Sequence, residues 1–176
     1  MRNRVIKLIF PVIAVLMLAP WPVAYAYSYE GDFIGSGAIR IEAAEPSDAP
    51  SARAFGRAVN SVTPGDLFYI DSTDSPADFL ATLHLTNADE LARSYRYLIL
   101  NVGTYVEDGA GEWAQVSGYG GQPVPETFLT LLNGSVNFGL GGYARYKIAV
   151  DGGNFYYWAT NVEGGVTSPR FYLTVD

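Results

Sequence analysis

Apolar and polar residues alternate along most of this chain with a period of two, the pattern of strands that bury one face. The last third, 143–176, shows it most plainly. Tyr146, Ile148 and Val150 share one parity and Arg145 and Lys147 the other; Phe171, Leu173 and Val175 alternate with Arg170, Tyr172 and Thr174. An aromatic segment, 155–160, lies between them, set off by Asp151-Gly152-Gly153-Asn154 and Glu163-Gly164-Gly165. Glycine and asparagine supply the positive φ that tight hairpin turns need. The chain is therefore expected to close as an antiparallel meander with Phe171, Leu173 and Val175 inward.

The same pattern runs through the earlier segments. Residues 38–42 alternate as a first strand after the hinge Gly35-Ser36-Gly37, and 43–58 read as a loop. Short strand segments at 59–62 and 67–70 flank Thr63-Pro64-Gly65-Asp66, a turn signal. An acidic loop, 71–78, leads to a strand over 79–86 with Leu83 and Leu85 inward and Thr82, His84 and Thr86 outward. Residues 88–93 make a helical turn. The run 94–106 is apolar on both parities and is expected to be a central strand covered on both faces, bent near Gly103. An acidic hairpin turn, 107–111, leads to a strand over 112–116, and a loop rich in Gly and Pro follows at 117–126. Asn133-Gly134, between 127–132 and 135–140, is the strongest hairpin signal in the sequence. About ten short strands with regular turn signals predict an antiparallel β-sandwich, jelly-roll or immunoglobulin-like.

The first residues do not fit that pattern. Arg2, Arg4 and Lys7 precede an apolar run from Leu8 to Ala19, and Ala24-Tyr25-Ala26 is a small-x-small cleavage site. This is the form of a secretory leader over 1–26, followed by a single domain over 27–176. The apolar run spans 12 residues and contains Pro11, well short of the ~20 needed to cross a bilayer. No later segment reads as a span. The expected location is extracellular or at the cell surface.

Charge narrows the partners. The whole chain carries −7; without the three basic residues of the leader, 8 basic residues face 18 acidic ones, a net charge of −10. Such a balance repels nucleic acid and anionic membranes. With no cysteine, the domain must be held by its core alone.

Chemistry is sparse. His84 is the only histidine, and neither H-E-x-x-H nor G-x-S-x-G occurs. A zinc or copper site is thereby disfavoured, and no catalytic residue is assigned. Asp71, Asp74 and Asp78 are hard oxygen ligands close in sequence and form a candidate calcium site, although their spacing is not that of an EF-hand loop. No other cofactor is indicated. Thirteen tyrosines and the tryptophans Trp113 and Trp158 offer flat rings for a sugar. Trp113 and Tyr119, beside the Gly- and Pro-rich loop, are the candidate exposed pair; Tyr156 and Trp158 share a strand face and are expected in the core.

The N-terminal half carries a resemblance. A leader is followed by an aromatic and acidic segment (Tyr27, Tyr29, Glu30, Asp32, Phe33), the strand Gly37-Ala38-Ile39-Arg40-Ile41, Pro64-Gly65-Asp66 and Leu83-His84-Leu85-Thr86-Asn87. That order resembles the camelysin and TasA-like secreted proteins over roughly 28–87. The resemblance implies a β-sandwich with a structural or surface role, including subunits of extracellular matrix fibres. Members have been called metallopeptidases, but the motif for that activity is missing here. Two expectations follow. One is a secreted, non-enzymatic structural protein that self-assembles or joins matrix components, donating an N-terminal strand in which Tyr27, Tyr29 and Phe33 fill pockets on a neighbour. The other is a carbohydrate- or ligand-binding module whose loop aromatics hold a polysaccharide.

Overall fold

A computed structural model describes residues 24–26, 28–31, 39–53, 60–116, 127–158 and 168–176, of which 24–31 and 52–53 are described by backbone alone. These residues form thirteen strands and one short helix. In chain order the strands are β1 (Ala24–Ala26), β2 (Ser28–Gly31), β3 (Arg40–Ala43), β4 (Ser51–Arg53), β5 (Asn60–Thr63), β6 (Gly65–Asp71) and β7 (Phe79–Leu85). After α1 (Ala88–Ser94) come β8 (Tyr95–Glu107), β9 (Trp113–Gln115), β10 (Thr127–Thr130), β11 (Ser135–Leu140), β12 (Arg145–Tyr157) and β13 (Arg170–Val175). They divide into a nine-stranded and a four-stranded sheet packed as a sandwich, the all-β architecture the alternation predicts. No helix among the described residues is long and apolar enough to cross a membrane.

The spine of the larger sheet is β12. Along one edge it pairs antiparallel with β8; along the other it pairs with β5 at Phe155–Gly153 and with β6 at Val150–Arg145. The sheet therefore runs β3 or β4, then β6 or β5, then β12, β8, and finally β9 or β10. The smaller sheet is ordered β11-β7-β13-β2. One parity from each sheet meets in the middle: Phe68, Ile70, Ile148, Val150, Leu98, Leu100 and Phe155 on one side, Leu83, Leu85, Phe171, Leu173, Phe138 and Leu140 on the other, all buried. The inward placing of Phe171, Leu173 and Val175 agrees with the sequence. Helix α1 covers one end through fully buried Leu91. The Asn87 side chain joins that end to β13, donating to Ser168 and accepting from the Arg170 amide.

Three turn signals take other roles. Asp151-Gly152-Gly153-Asn154 lies inside β12, which continues for 13 residues, so the chain does not close as a simple meander. Its register against β8 shifts between Val150 and Gly152. The glycines serve that bulge: Gly152 has φ +147°, and a Cβ on Gly153 would collide with the Ile99 carbonyl oxygen. Thr63-Pro64-Gly65-Asp66 reverses nothing either. It interrupts a continuous edge, because β5 and β6 follow each other end to end along β12. Asn133-Gly134 joins strands in different sheets, β10 against β8 and β11 against β7. There the Thr130 hydroxyl accepts from the amides of Leu132 and Asn133, and the Gly134 carbonyl accepts from the Leu85 amide, extending the β11–β7 ladder.

β8 is central, and its outward face is covered only in part, with Gly103 buried and Tyr97, Asn101 and Tyr105 half-buried. A register shift at Tyr156/Tyr157 lets Tyr95 and Leu98 both point inward, while Arg96 and Ile99 are exposed. The N-terminal segment also differs from a free arm, since Ser28–Gly31 pairs in parallel with β13 of the same chain. Tyr29 lies in that strand; Tyr27 and Phe33 are outside the described residues. β1, within the segment read as a leader, pairs with β4.

Candidate functional site

Because parity puts every second residue outward, the outer face of the nine-stranded sheet is built from cross-strand rows. In one row, Asp71 stands between Arg40 on β3 and Arg145 on β12, and Arg145 reaches Glu107 on β8 at 2.9 Å, opposite Trp113 on β9. In the next row, Lys147 lies between Tyr69 and Tyr105, with Glu42 beyond Tyr69 and Gln115 beyond Tyr105. The Trp113 ring reaches across the intervening strands to lie 5.9 Å from the Tyr69 ring.

Beneath the rings sits a cation. The Lys147 ammonium is 5.3 Å from the centroids of both Tyr105 and Trp113, and 3.1 Å from Asp66. Its side chain is only 17% exposed, so the carboxylate and the two ring faces replace much of its water. Asp66 also accepts from the Tyr69 hydroxyl at 2.8 Å. The Tyr105 hydroxyl donates to Asp151 at 2.6 Å, and burial together with that bond pushes its pKa well up. The polar tips of Lys147, Tyr69 and Tyr105 are thus each held by a neighbouring carboxylate.

At the Arg40 end the surface opens into a cleft of about 60 Å³, lined by Arg40, Glu42, Tyr69, Asp71, Trp113 and Arg145. It is small beside the ~300–1,000 Å³ of an enclosing ligand pocket, and serves as a platform. Charges of both signs border it. Arg40 touches Asp74 at 3.4 Å with both side chains 70% exposed, a contact of little strength that a ligand can replace. The Asp71 carboxyl is held below its ordinary pKa, chiefly by the Thr73 hydroxyl and then by the Thr73 amide, with Arg145 and Arg40 adding to the effect.

The residues singled out from sequence are distributed unevenly over this surface. Trp113 is its centre; Tyr119 lies outside the described residues. Asp71 is in the charged row, Asp74 pairs with Arg40, and Asp78 is exposed just before β7. The three aspartates are not gathered, and no group of three or more His, Cys, Asp or Glu among the described residues is arranged to hold a metal. The loop carrying them is instead tied down by Ser72, whose hydroxyl donates to the Ala144 carbonyl at 2.8 Å. His84 faces outward on the other sheet, with Nε2 3.3 Å from the Thr174 hydroxyl. Trp158 is 44% exposed rather than in the core, and Tyr156 is half-buried on the same outer face. Tyr69, Tyr105, Lys147, Arg40 and Arg145 were not singled out as candidates. The outward parity of Arg145 and Lys147 is readable, but not the register that sets them beside Trp113.

No family model and no curated protein matches the sequence. Among solved structures, CpGH89CBM32-4 from Clostridium perfringens is 12% identical, covering 85% of this chain and 92% of that one, with a TM-score of 0.27. CpGH89CBM32-6 from the same organism is 11% identical over 70% of this chain and 94% of that one, TM-score 0.24. The CBM22-1 xylan-binding domain of Paenibacillus barcinonensis Xyn10C is 11% identical over 69% and 80%, TM-score 0.22. Overlaps of that quality leave function to be argued from this chain's own geometry.

Proposed function

We propose that this protein is a non-catalytic module that binds carbohydrate on the outer face of its larger sheet, with Trp113 as the main contact. The observation that carries the reading is the Trp113–Tyr69 ring pair, 5.9 Å apart, bordering an open cleft with exposed groups of both signs. A sugar ring has an apolar face that stacks on an indole and a rim of hydroxyls that both donate and accept. Arg40 and Arg145 supply donors at the rim; Glu42 and Asp71 supply acceptors. The nearly balanced charge favours a neutral saccharide over a polyanion. The fibre-subunit reading draws on the N-terminal resemblance, and no feature of the described residues adds to it.

The test is retention of the purified protein on immobilised cellulose, xylan and β-1,3-glucan, compared with W113A. Wild type is expected to be retained by at least one polymer and W113A released, with both proteins melting cooperatively. Equal retention of both, or of neither, would refute the proposal.

A further inference from the structure

We infer that the same sheet face carries a second saccharide subsite at Tyr97 and Tyr156, and that the ligand is therefore an extended neutral polysaccharide chain lying along β8 and β12. This rests on the carbohydrate-binding reading of Trp113 and specifies its ligand. The two tyrosines are directly paired across the strands, and their rings stack 6.1 Å apart at 17°. Both are half-buried, so the stacked pair keeps part of its aromatic surface open to solvent. Ile99 at 38% and Phe128 at 43% exposure extend it toward β10.

Two features select a neutral, hydroxyl-rich occupant. Asn154 lies opposite Ile99, and Asn101 opposite Phe128, both on the outward parity. Neither amide makes a side-chain hydrogen bond among the described residues, so each keeps a donor and an acceptor for a ligand. Charge on the path between the two ring sites is confined to Asp151, and its carboxylate is already engaged by Tyr105. An apolar partner would leave these amides unpaired; a polyanion would meet the Asp151 carboxylate and no cation between the two ring sites, Arg96 lying beyond them against the Trp158 ring.

The register makes the two sites one surface. From Tyr105, at the Trp113 cluster, to Tyr97 is roughly 27 Å along β8 at ordinary strand rise. Gly103 occupies the interval, and the Asp151 carboxylate and the Tyr105 ring fill the space that a Cβ there would take. A chain of several sugar units spans the interval, whereas a disaccharide reaches one end only.

Calorimetry with cello- and xylo-oligosaccharides from dimer to hexamer tests this. In wild type, affinity for one series should rise with length, by roughly tenfold once both ring sites are reached. Y97A/Y156A should flatten that rise, so that the hexamer binds no tighter than the dimer. N154A, at an exposed position, should weaken hexamer binding alone, and so keeps the test open if the double variant does not fold. W113A should lose every length. A hexamer that binds no tighter than a dimer, or a length series untouched in both N154A and Y97A/Y156A while W113A still abolishes binding, overturns the second subsite and spares the first. Absence of binding by wild type defeats both. A concentration-dependent dimer lost in Y97A/Y156A would assign the patch to a second copy of the chain instead.

Discussion

Toward the core, the two sheets present the same kind of surface, with Ile148, Val150 and Leu100 fully buried on one and Leu83, Leu173 and Phe171 on the other. Toward solvent they diverge. Across the four-stranded sheet run Ser135, His84 and Tyr172, then Asn137, Thr82 and Thr174, with a single tilted ring contact between His84 and Tyr172 and an exposed Leu80. Across the nine-stranded sheet run stacked rings, ion pairs and a lysine roofed by tryptophan. Core packing demands alternation in both sheets, but it demands nothing of the outward residues. Exposed apolar residues occur on both faces, Leu80 on one and Ile99 and Phe128 on the other, so it is the semi-buried Lys147 with its ring and carboxylate contacts that sets the larger sheet's face apart.

The largest effects should come from disturbing what the sheets share. Deleting Arg170–Asp176 removes β13, which pairs with β7 and β2 and carries Phe171, Leu173 and Val175 into the core. Burial of each such side chain stabilises by ~1.5–3 kcal/mol, comparable in sum to a domain's ~5–15 kcal/mol. The truncated chain should therefore show no cooperative melting by calorimetry. Next comes G153V, which forces a side chain against the β8 backbone at Ile99. It should cost ~2 kcal/mol or more in urea unfolding; a near-neutral result would mean that β12 can straighten its bulge.

Smaller effects should separate the two outer faces. H84A/T174A should change stability by no more than ~0.5 kcal/mol and leave polysaccharide retention intact, whereas W113A abolishes retention. If the two variants behaved alike, the asymmetry would have no functional meaning. The smallest effect concerns Tyr105. Its raised pKa means that ionisation is harder folded than unfolded, so the stability it contributes is complete below the unfolded value near 10 and is lost as pH rises through the folded value. Y105F should accordingly show a shallower loss of stability than wild type above about pH 10, measured by urea midpoint.

Sequence conveyed parity well and connectivity poorly, for a physical reason. Whether Leu83, Leu173 or Ile148 faces inward is decided by the alternation of its own strand. Whether glycine marks a turn or a bulge depends on what lies alongside. Gly152-Gly153 has the composition of a hairpin, yet the requirement is set by the approach of Ile99, far away in the chain. Asn133-Gly134 likewise bends the chain but passes between sheets, because β8 and β7 compete for the flanking strands. Trp113 was legible as a ring beside a loop. Its neighbours Tyr69, Lys147 and Arg145 come from other strands, brought together only by registers that no local pattern encodes.

The position of β12 has a consequence for the order of events in folding. β5, β6 and β8 all await this one strand as their common partner, and it follows all three in the chain. Until residue 157 has emerged, the earlier strands have edges but no spine, and the larger sheet cannot close. Contacts so distant in sequence make for slow folding. The larger sheet should therefore come together only once β12 has been made, in one late step.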